Sequence, residues 1–347
     1  MSETPIALDS AVLYQALLSR VERKIRTHGE LVLPCAPALL EEYMTRITGM
    51  CSLMGKKFSA TEEVHLRDIL EPRLKKGFAD SPHSVIRFSW KPEDPPGTGI
   101  DYTLALETSG MTDQYESWAQ NKTPPLFGAH ADAKVLAVAR TLGDPSLAPI
   151  LDIGAGPGRN SIPLARAGFP VTALEMTAGF VNQLTNSGEG LPLDAVQGNI
   201  LHETVELPTS HYAMVIVSEV TSHFRTAEDL RTLYRRVSQC LRPGGLLVVN
   251  LFLAAAEYAP GPLTRQVGEL TWSNFFTGGE VRAAVVGLPL EVLSSESVHD
   301  FEQAHLPIEA WPPTGWFRGW SQGYDIFHLE DQAPPVHLRW LVYRRTE

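Results

Sequence analysis

Residues 151–175 read LDIGAGPGRNSIPLARAGFPVTALE. Leu151–Ile153 closes a short apolar run, APILDIG, of the kind that forms a strand buried on both faces. Gly154, Gly156 and Gly158 then alternate with other residues, and a helix is predicted from near Asn160 to Ala167. PVTALE supplies a second strand, ending on Glu175. Strand, glycine turn, helix and strand make a βαβ unit, whose two strands lie parallel. Glycine permits positive φ and lets a ligand approach the backbone without meeting a Cβ. The helix start presents unpaired N–H groups, with Asn160 as the expected N-cap and Arg159 as an added charge. An acid at the end of the second strand lies beside the first turn, where it can accept hydrogen bonds from the two hydroxyls of a ribose.

The same alternation continues outward. Ala131–Leu142 reads as a helix before the first strand, ended by Gly143-Asp144-Pro145. Downstream, LDAVQG and YAMVIVS read as strands, Thr226–Leu241 as a long helix and GLLVVNLFL as a strand. Phe275–Val286 then reads as a helix, LEVLSSESV as a strand and VHLRWLVYRR as the last strand. This pattern predicts a Rossmann-like, doubly wound, mostly parallel seven-stranded sheet. The last two strands show no helix between them, only the irregular stretch 300–334, so the last strand is expected to be antiparallel. Residues 1–110 read differently, as a smaller α+β section. Val12, Leu13, Leu17, Val21 and Ile25 mark one helical face, and helices follow over Pro37–Met54 and after Ser59, where Glu62 has capping-box spacing. SVIRFSW and DYTLALE read as strands around the turn KPEDPPGTG. The expected division is thus 1–110, for oligomerisation or for covering an acceptor, and 111–347, with an aromatic insertion at 300–334.

Forty acidic against 29 basic residues give a net charge of −11, which repels phosphate backbones and argues against a long nucleic-acid partner. Three cysteines, Cys35, Cys51 and Cys240, are too few and too scattered for a disulfide framework or a metal site, and read as buried thiols. No metal is expected. The N-terminus lacks a signal-peptide pattern, and no apolar run reaches membrane-spanning length, so the expected compartment is the cytoplasm, without a membrane partner.

The turn has G-x-G-x-G spacing with Asp152 two residues ahead, whereas the dinucleotide fingerprint is G-x-G-x-x-G. Asp-x-Gly-x-Gly-x-Gly resembles motif I of the class I S-adenosylmethionine-dependent methyltransferases, and GAGPGRNSIPLARAGFPVTALE is similar to the tellurite-resistance type of small-molecule methyltransferase. The resemblance runs from about Gln114 to the C-terminus. It implies S-adenosylmethionine as cofactor, with Asp152, Gly154, Gly156 and Gly158 around its methionine part, Glu175 on the ribose and Met176 beside the adenine. Asn199 and Ile200 follow the third strand, where the family often has Asp next to an apolar residue, so Asn199 is a departure. Ser218, Glu219 and Val220 follow the fourth strand, where the family lines the transfer site. Leu241-Arg242-Pro243-Gly244-Gly245 matches the family's turn before the fifth strand.

Glu219 and His223, in SEVTSHF, are the candidate catalytic groups, as base or as orienting residues for the acceptor. Against this, Glu219 can bind a cofactor ammonium or a backbone amide, and His223 can cap the next helix. AWPPTGWFRGWSQGY, residues 310–324, holds Trp316, Trp320 and Tyr324 and reads as an acceptor-binding lid or as a hydrophobic plug, with Asp300, Glu302 and His305 nearby. Tyr115, Trp118 and His130 precede the first strand, where Tyr115 or Trp118 can stack on a sulfonium or simply pack a helix. The expected function is methyl transfer to an O, N or S nucleophile of a small-molecule acceptor by in-line displacement. The alternatives are an NAD(P)-dependent oxidoreductase and a protein methyltransferase that uses residues 1–110 to bind its partner, and a homodimer is a further use of that section.

Overall fold

The computed structural model describes residues 9–20, 27–94, 99–123 and 125–347. Val21 and Ile25 of the expected helical face, and residues 95–98 of the KPEDPPGTG turn, lie outside them. The chain forms two compact units, Met1–Gly110 and Met111–Glu347.

In the first unit, α1 (Ser10–Arg20) precedes β1 (Gly29–Pro34), α2 (Leu40–Leu53), α3 (Ala60–Asp80), β2 (Val85–Pro92) and β3 (Ile100–Glu107). Strand β1 corrects the all-helical reading of residues 8–77. GELVLP is bounded by Gly29 and Pro34 and pairs antiparallel with β2, which pairs antiparallel with β3. Ser59 and Glu62 close the capping box that starts α3. Ile47, Leu66, Leu70, Leu74, Ile86 and Phe88 are fully buried between helices and sheet. Val12, Leu13 and Leu17 of α1 are exposed.

The second unit begins with α4 (Met111–Asn121) and α5 (Ala133–Ala139). Next come β4 (Ile150–Ile153), α6 (Ser161–Arg166), β5 (Val171–Glu175), α7 (Ala178–Ser187), β6 (Leu193–Gln197), β7 (Tyr212–Val217), α8 (Ala227–Cys240) and β8 (Leu241–Ala254). The chain then forms α9 (Pro262–Leu270), β9 (Phe275–Phe276), α10 (Gly278–Val285), β10 (Leu290–Ser297), α11 (Val298–His305), α12 (Phe317–Ser321) and β11 (Val336–Arg345). Strands β4–β11 form one sheet in the order β10-β11-β8-β7-β4-β5-β6, with two-residue β9 beside β8. Strands β4 to β8 pair in parallel, and β11 runs antiparallel to both neighbours. The fold class is therefore the Rossmann-like one expected, with its antiparallel last strand.

Alternate residues feed opposite cores, as strand pleating requires. Ile150, Met214, Ile216 and Val248 pack on one face, and Leu151, Val215, Val217 and Val249 on the other. The order reverses at β4, between β5 and β7, so a crevice opens above the carboxyl ends of those strands.

Two expectations are corrected. Between β10 and β11 the chain is not merely irregular: Ser297 caps α11, and α12 follows. Prolines and glycines around Trp311–Gly323 break the periodicity that would have revealed α12. The predicted helix 275–286 is split, because Phe275–Phe276 pair with β8 and the Thr277–Glu280 capping box starts α10 only afterwards.

Trp340 of β11 is fully buried and donates its indole N–H to Glu302 Oε1 at 3.0 Å. Trp340→Ala is expected to destabilise the chain by about 3–5 kcal/mol. Trp340→Phe, which keeps most of the packing but orphans the bond, should cost about 1–3 kcal/mol. Denaturant unfolding midpoints check both.

Candidate active site

The turn after β4 holds three glycines, all at positive φ, that do different work. A Cβ on Gly154 would collide with Val220 Cγ2, so this glycine lets the loop after β7 approach. A Cβ on Gly158 would lie 2.7 Å from Ile162 Cδ1 and 2.8 Å from Leu184 Cδ2, and Gly158 does not line the cavity above the sheet. Gly156 does line it, and a Cβ there would meet nothing closer than 3.8 Å. Glu175 Oε2 accepts from Gly156 N at 2.9 Å and Oε1 from Thr177 N at 2.8 Å. Each oxygen has a second acceptor site left, so the acid is aimed by the backbone and still able to bind.

Asn160 makes no side-chain cap on α6, contrary to expectation. Its amide instead grips Asp132, with Nδ2 donating to Oδ2 at 2.9 Å and Oδ1 accepting the Asp132 N–H at 2.9 Å. Asp132 Oδ2 also accepts from Ser218 Oγ at 2.7 Å. Arg159 lies 2.8 Å from Asp132 Oδ1 and donates to Glu219 Oε1 at 2.6 Å. All three side chains are at least 86% buried, with exposures of 3% (Asp132), 8% (Arg159) and 14% (Glu219). Burial opposes the charge on Arg159, but Asp132 and then Glu219 outweigh it and raise its pKa. Burial pushes the Glu219 carboxyl above the usual range, against the pull of Arg159. Asp152, fully enclosed and bonded by Ser161 Oγ at 2.6 Å, is pushed up by burial to about 7. Glu219 is therefore a partner of Arg159 rather than an isolated base. It stands at φ +59°, a left-handed conformation uncommon for a side-chain-bearing residue. Asn250, buried in β8, holds it there by accepting the Glu219 N–H at 2.7 Å.

These groups border a cavity of about 410 Å³, within the range of small-molecule sites. Asp152, Gly154, Gly156, Glu175, Met176, Asn199, Ile200 and Ser218 all line it. Asn199 Oδ1 accepts from Leu201 N at 2.9 Å, which fixes the side chain. Glu219, His223, Tyr115, Trp118, Trp316 and Trp320 line it too, but Tyr324 does not, and neighbouring Asp325 takes that place. Tyr115 Oη lies 2.9 Å from His223 Nε2. His130, Asp300, Glu302 and His305 stay out of the lining. Glu302 instead accepts the backbone N–H groups of Ala133 and Lys134 at the start of α5, and His305 stacks on Phe301.

Asp132, Asn250 and Trp272 are the residues that motif reading missed. A lone asparagine inside the apolar run LVVNLF was a legible signal. Asp132 and Trp272 carried none, because their partners come from distant segments. Cys35, Cys51 and Cys240 are free and buried. Among the described residues, no cluster of His, Cys, Asp and Glu has metal-binding geometry, and no helix is long and apolar enough to cross a membrane.

Residues 150–245 match a protein family described as "Methyltransferase domain". A ubiquinone biosynthesis O-methyltransferase of Methylobacterium nodulans is 31% identical over 161 residues, 43% of this chain and 62% of that protein. Its counterpart from Caulobacter is 31% identical over 156 residues, 41% of this chain and 59% of that protein. The chain thus spans about three-fifths of the length of these curated relatives. Geranyl diphosphate C-methyltransferase from Streptomyces coelicolor, solved with S-adenosyl-L-homocysteine, superposes with a TM-score of 0.52 at 13% identity, covering 68% of this chain and 98% of that one. The fold of this chain is that of the class I methyltransferases.

Gly158→Ala is expected to lower stability by about 2–4 kcal/mol, through overpacking against Ile162 and Leu184 plus backbone strain. Gly156→Ala, with room for its methyl, should cost about 1 kcal/mol. Thermal melting of the two variants side by side checks the contrast.

Proposed function

We propose that this chain is an S-adenosylmethionine-dependent methyltransferase acting on a small-molecule acceptor. The observation that carries the reading is the charge of the cavity. Four carboxyl groups, Asp132, Asp152, Glu175 and Glu219, stand at its wall or directly behind it, against the one buried guanidinium of Arg159. The other basic side chain in the lining, Lys122, is exposed and sits 4.0 Å over the Trp118 ring. S-adenosylmethionine carries a sulfonium and an ammonium against one carboxylate, and its net positive charge suits such a wall. A dinucleotide brings a pyrophosphate, which the same wall repels. This favours methyl transfer over the oxidoreductase reading.

The residues present fit the cofactor. Glu175 has acceptor capacity left for the ribose hydroxyls, Met176 and Ile200 offer apolar contact to the adenine, and the amino group of Asn199 remains for a ring nitrogen. Asp152, Gly154 and Gly156 would border the methionine part, with Ser218 and Glu219 beyond. Gly158 serves by packing rather than by touching the ligand. When bound, the cofactor supplies a methyl group on a good leaving group, so positioning and exclusion of water supply much of the rate. His223, held by Tyr115, is the group placed to take a proton from the acceptor nucleophile. Glu219 keeps Arg159 fixed and sets the loop on which His223 stands. The net charge of −11 disfavours nucleic-acid acceptors. Residues 1–110 are assigned to oligomerisation or acceptor cover, and 300–334 to the acceptor wall.

Calorimetric titration is expected to show micromolar binding of S-adenosylhomocysteine and none of NADH. Glu175→Ala and Gly156→Arg should abolish that binding while circular dichroism and melting show a folded chain. Binding of NADH, or unchanged affinity in both variants, would sink the assignment.

Because burial raises Asp152 from 3.8 to about 7, the group opposes folding progressively as pH rises from about 4 to about 7. A bound cation favours the ionised form, so binding should release a proton below that range's upper end. Affinity for S-adenosylmethionine is therefore expected to rise from pH 5.5 to 7 and level off above. Asp152→Asn should flatten the profile, and titration calorimetry across pH reads both.

A further inference from the structure

Part of the cavity is walled by aromatic rings, among them Trp272, in the turn between α9 and β9. Trp272 has φ +58°, an outlier for a bulky residue. Three bonds hold it there. Trp320 Nε1 donates to the Trp272 carbonyl at 3.1 Å, Ser273 N to Gly268 O at 2.8 Å, and Asn274 N to Ser222 O at 3.0 Å. The last ties the turn to the loop that carries His223. The Trp272 ring lies 5.3 Å from Trp118 at 30°, and stands nearly perpendicular to Tyr115 at 5.7 Å and to His223 at 5.3 Å. Trp316, 44% exposed, stands over Trp320 at 5.3 Å and completes the wall.

No acidic or basic side chain of the described residues is among the rings of this wall, though Glu175 and Glu219 act on Tyr115 from beside it. Arg159 is paired with Asp132 and Glu219, and Lys122 and Asp325 are exposed at the rim. The polar group that meets the rings is the Tyr115–His223 pair. Burial raises the Tyr115 pKa, so its phenol stays protonated and neutral. Flat indole faces select planar π-systems, an uncharged interior rejects an ionised ligand for want of a counter-charge, and a Tyr–His pair hydrogen-bonds a hydroxyl.

The geometry points to an uncharged, planar aromatic acceptor that carries a hydroxyl, seated on Trp272 with that hydroxyl presented to the Tyr115–His223 pair. Trp272 is then the residue that sets acceptor specificity. This rests on the reading of the chain as a methyltransferase, and it names the chemical class that reading leaves open. The hydroxyl proton moves to the Tyr115 oxygen as the Tyr115 proton moves to His223 Nε2. The pair then holds one extra proton, as imidazolium, and the acceptor oxygen is left with the electron pair it needs.

The test is calorimetric titration of the whole chain, loaded with S-adenosylhomocysteine, with 2-naphthol. Three comparison ligands are 2-naphthoate (charged), 2-naphthylamine (amine for hydroxyl) and trans-2-decalol (not planar). The expected result is saturable binding of 2-naphthol, at least tenfold tighter than each comparison ligand. Trp272→Ala should weaken it tenfold or more, Trp272→Phe threefold or less, and Tyr115→Phe several-fold, all with S-adenosylhomocysteine affinity unchanged. That retained affinity shows that the variants fold. Equal or tighter binding of any comparison ligand overturns the class, as does no binding of 2-naphthol. Undiminished 2-naphthol binding by Trp272→Ala overturns the role of that residue. Failure of S-adenosylhomocysteine itself to bind is a separate result, and counts against the function rather than the acceptor class.

Discussion

A guanidinium buried beside a ligand cavity must be paired, since an isolated charge in a protein interior costs several kcal/mol even after relaxation. Arg159 meets that requirement with Asp132 on one side and Glu219 on the other. The pairing binds three segments together: the glycine turn, the loop before α5 and the loop after β7. Asn160 and Ser218 add hydrogen bonds to the same Asp132 carboxylate. Glu302 reaches from α11 to the start of α5, next in the chain to Asp132, so the insertion before β11 is anchored to this centre as well.

The cluster explains why the cavity has two characters. Its polar end gathers carboxyl groups around a single cation and so suits a ligand with net positive charge. Its aromatic end, from Tyr115 and Trp118 to Trp272 and Trp320, lines the same cavity with flat apolar rings. The loop 218–223 joins the two, since Glu219 belongs to the first and His223 to the second. A shift of this loop would disturb both ends together.

Two residues at this junction, Glu219 and Trp272, sit in left-handed backbone conformations that cost about 1–3 kcal/mol each. Such strain persists only where the surroundings over-determine it. Asn250 supplies the restraint for Glu219, and Trp320 supplies it for Trp272. The asparagine in an otherwise apolar central strand thus has a structural use, and Trp320, which makes the second restraint, is buried.

The amino-acid order by itself determined the strand–turn–helix alternation, the glycine turn, the acid at the end of β5 and the antiparallel last strand. Those features answer to local rules: strand period, glycine's access to positive φ, and the reach of a crossover. It did not reveal Asp132 as the hub, Asn250 as the restraint, Trp272 as a ring of the cavity wall, or β1 and the helices within 298–321. Asp132 meets Asn160 across 28 residues, Glu219 meets Asn250 across 31, and Tyr115 meets His223 across 108. Pairings of that span leave no periodic trace, because they exist only once the sheet has brought the carboxyl ends of its strands to one edge. The tertiary structure alone decided them, and with them the change of Asn160 from helix cap to carboxylate clamp and the pairing of Glu219 with Arg159.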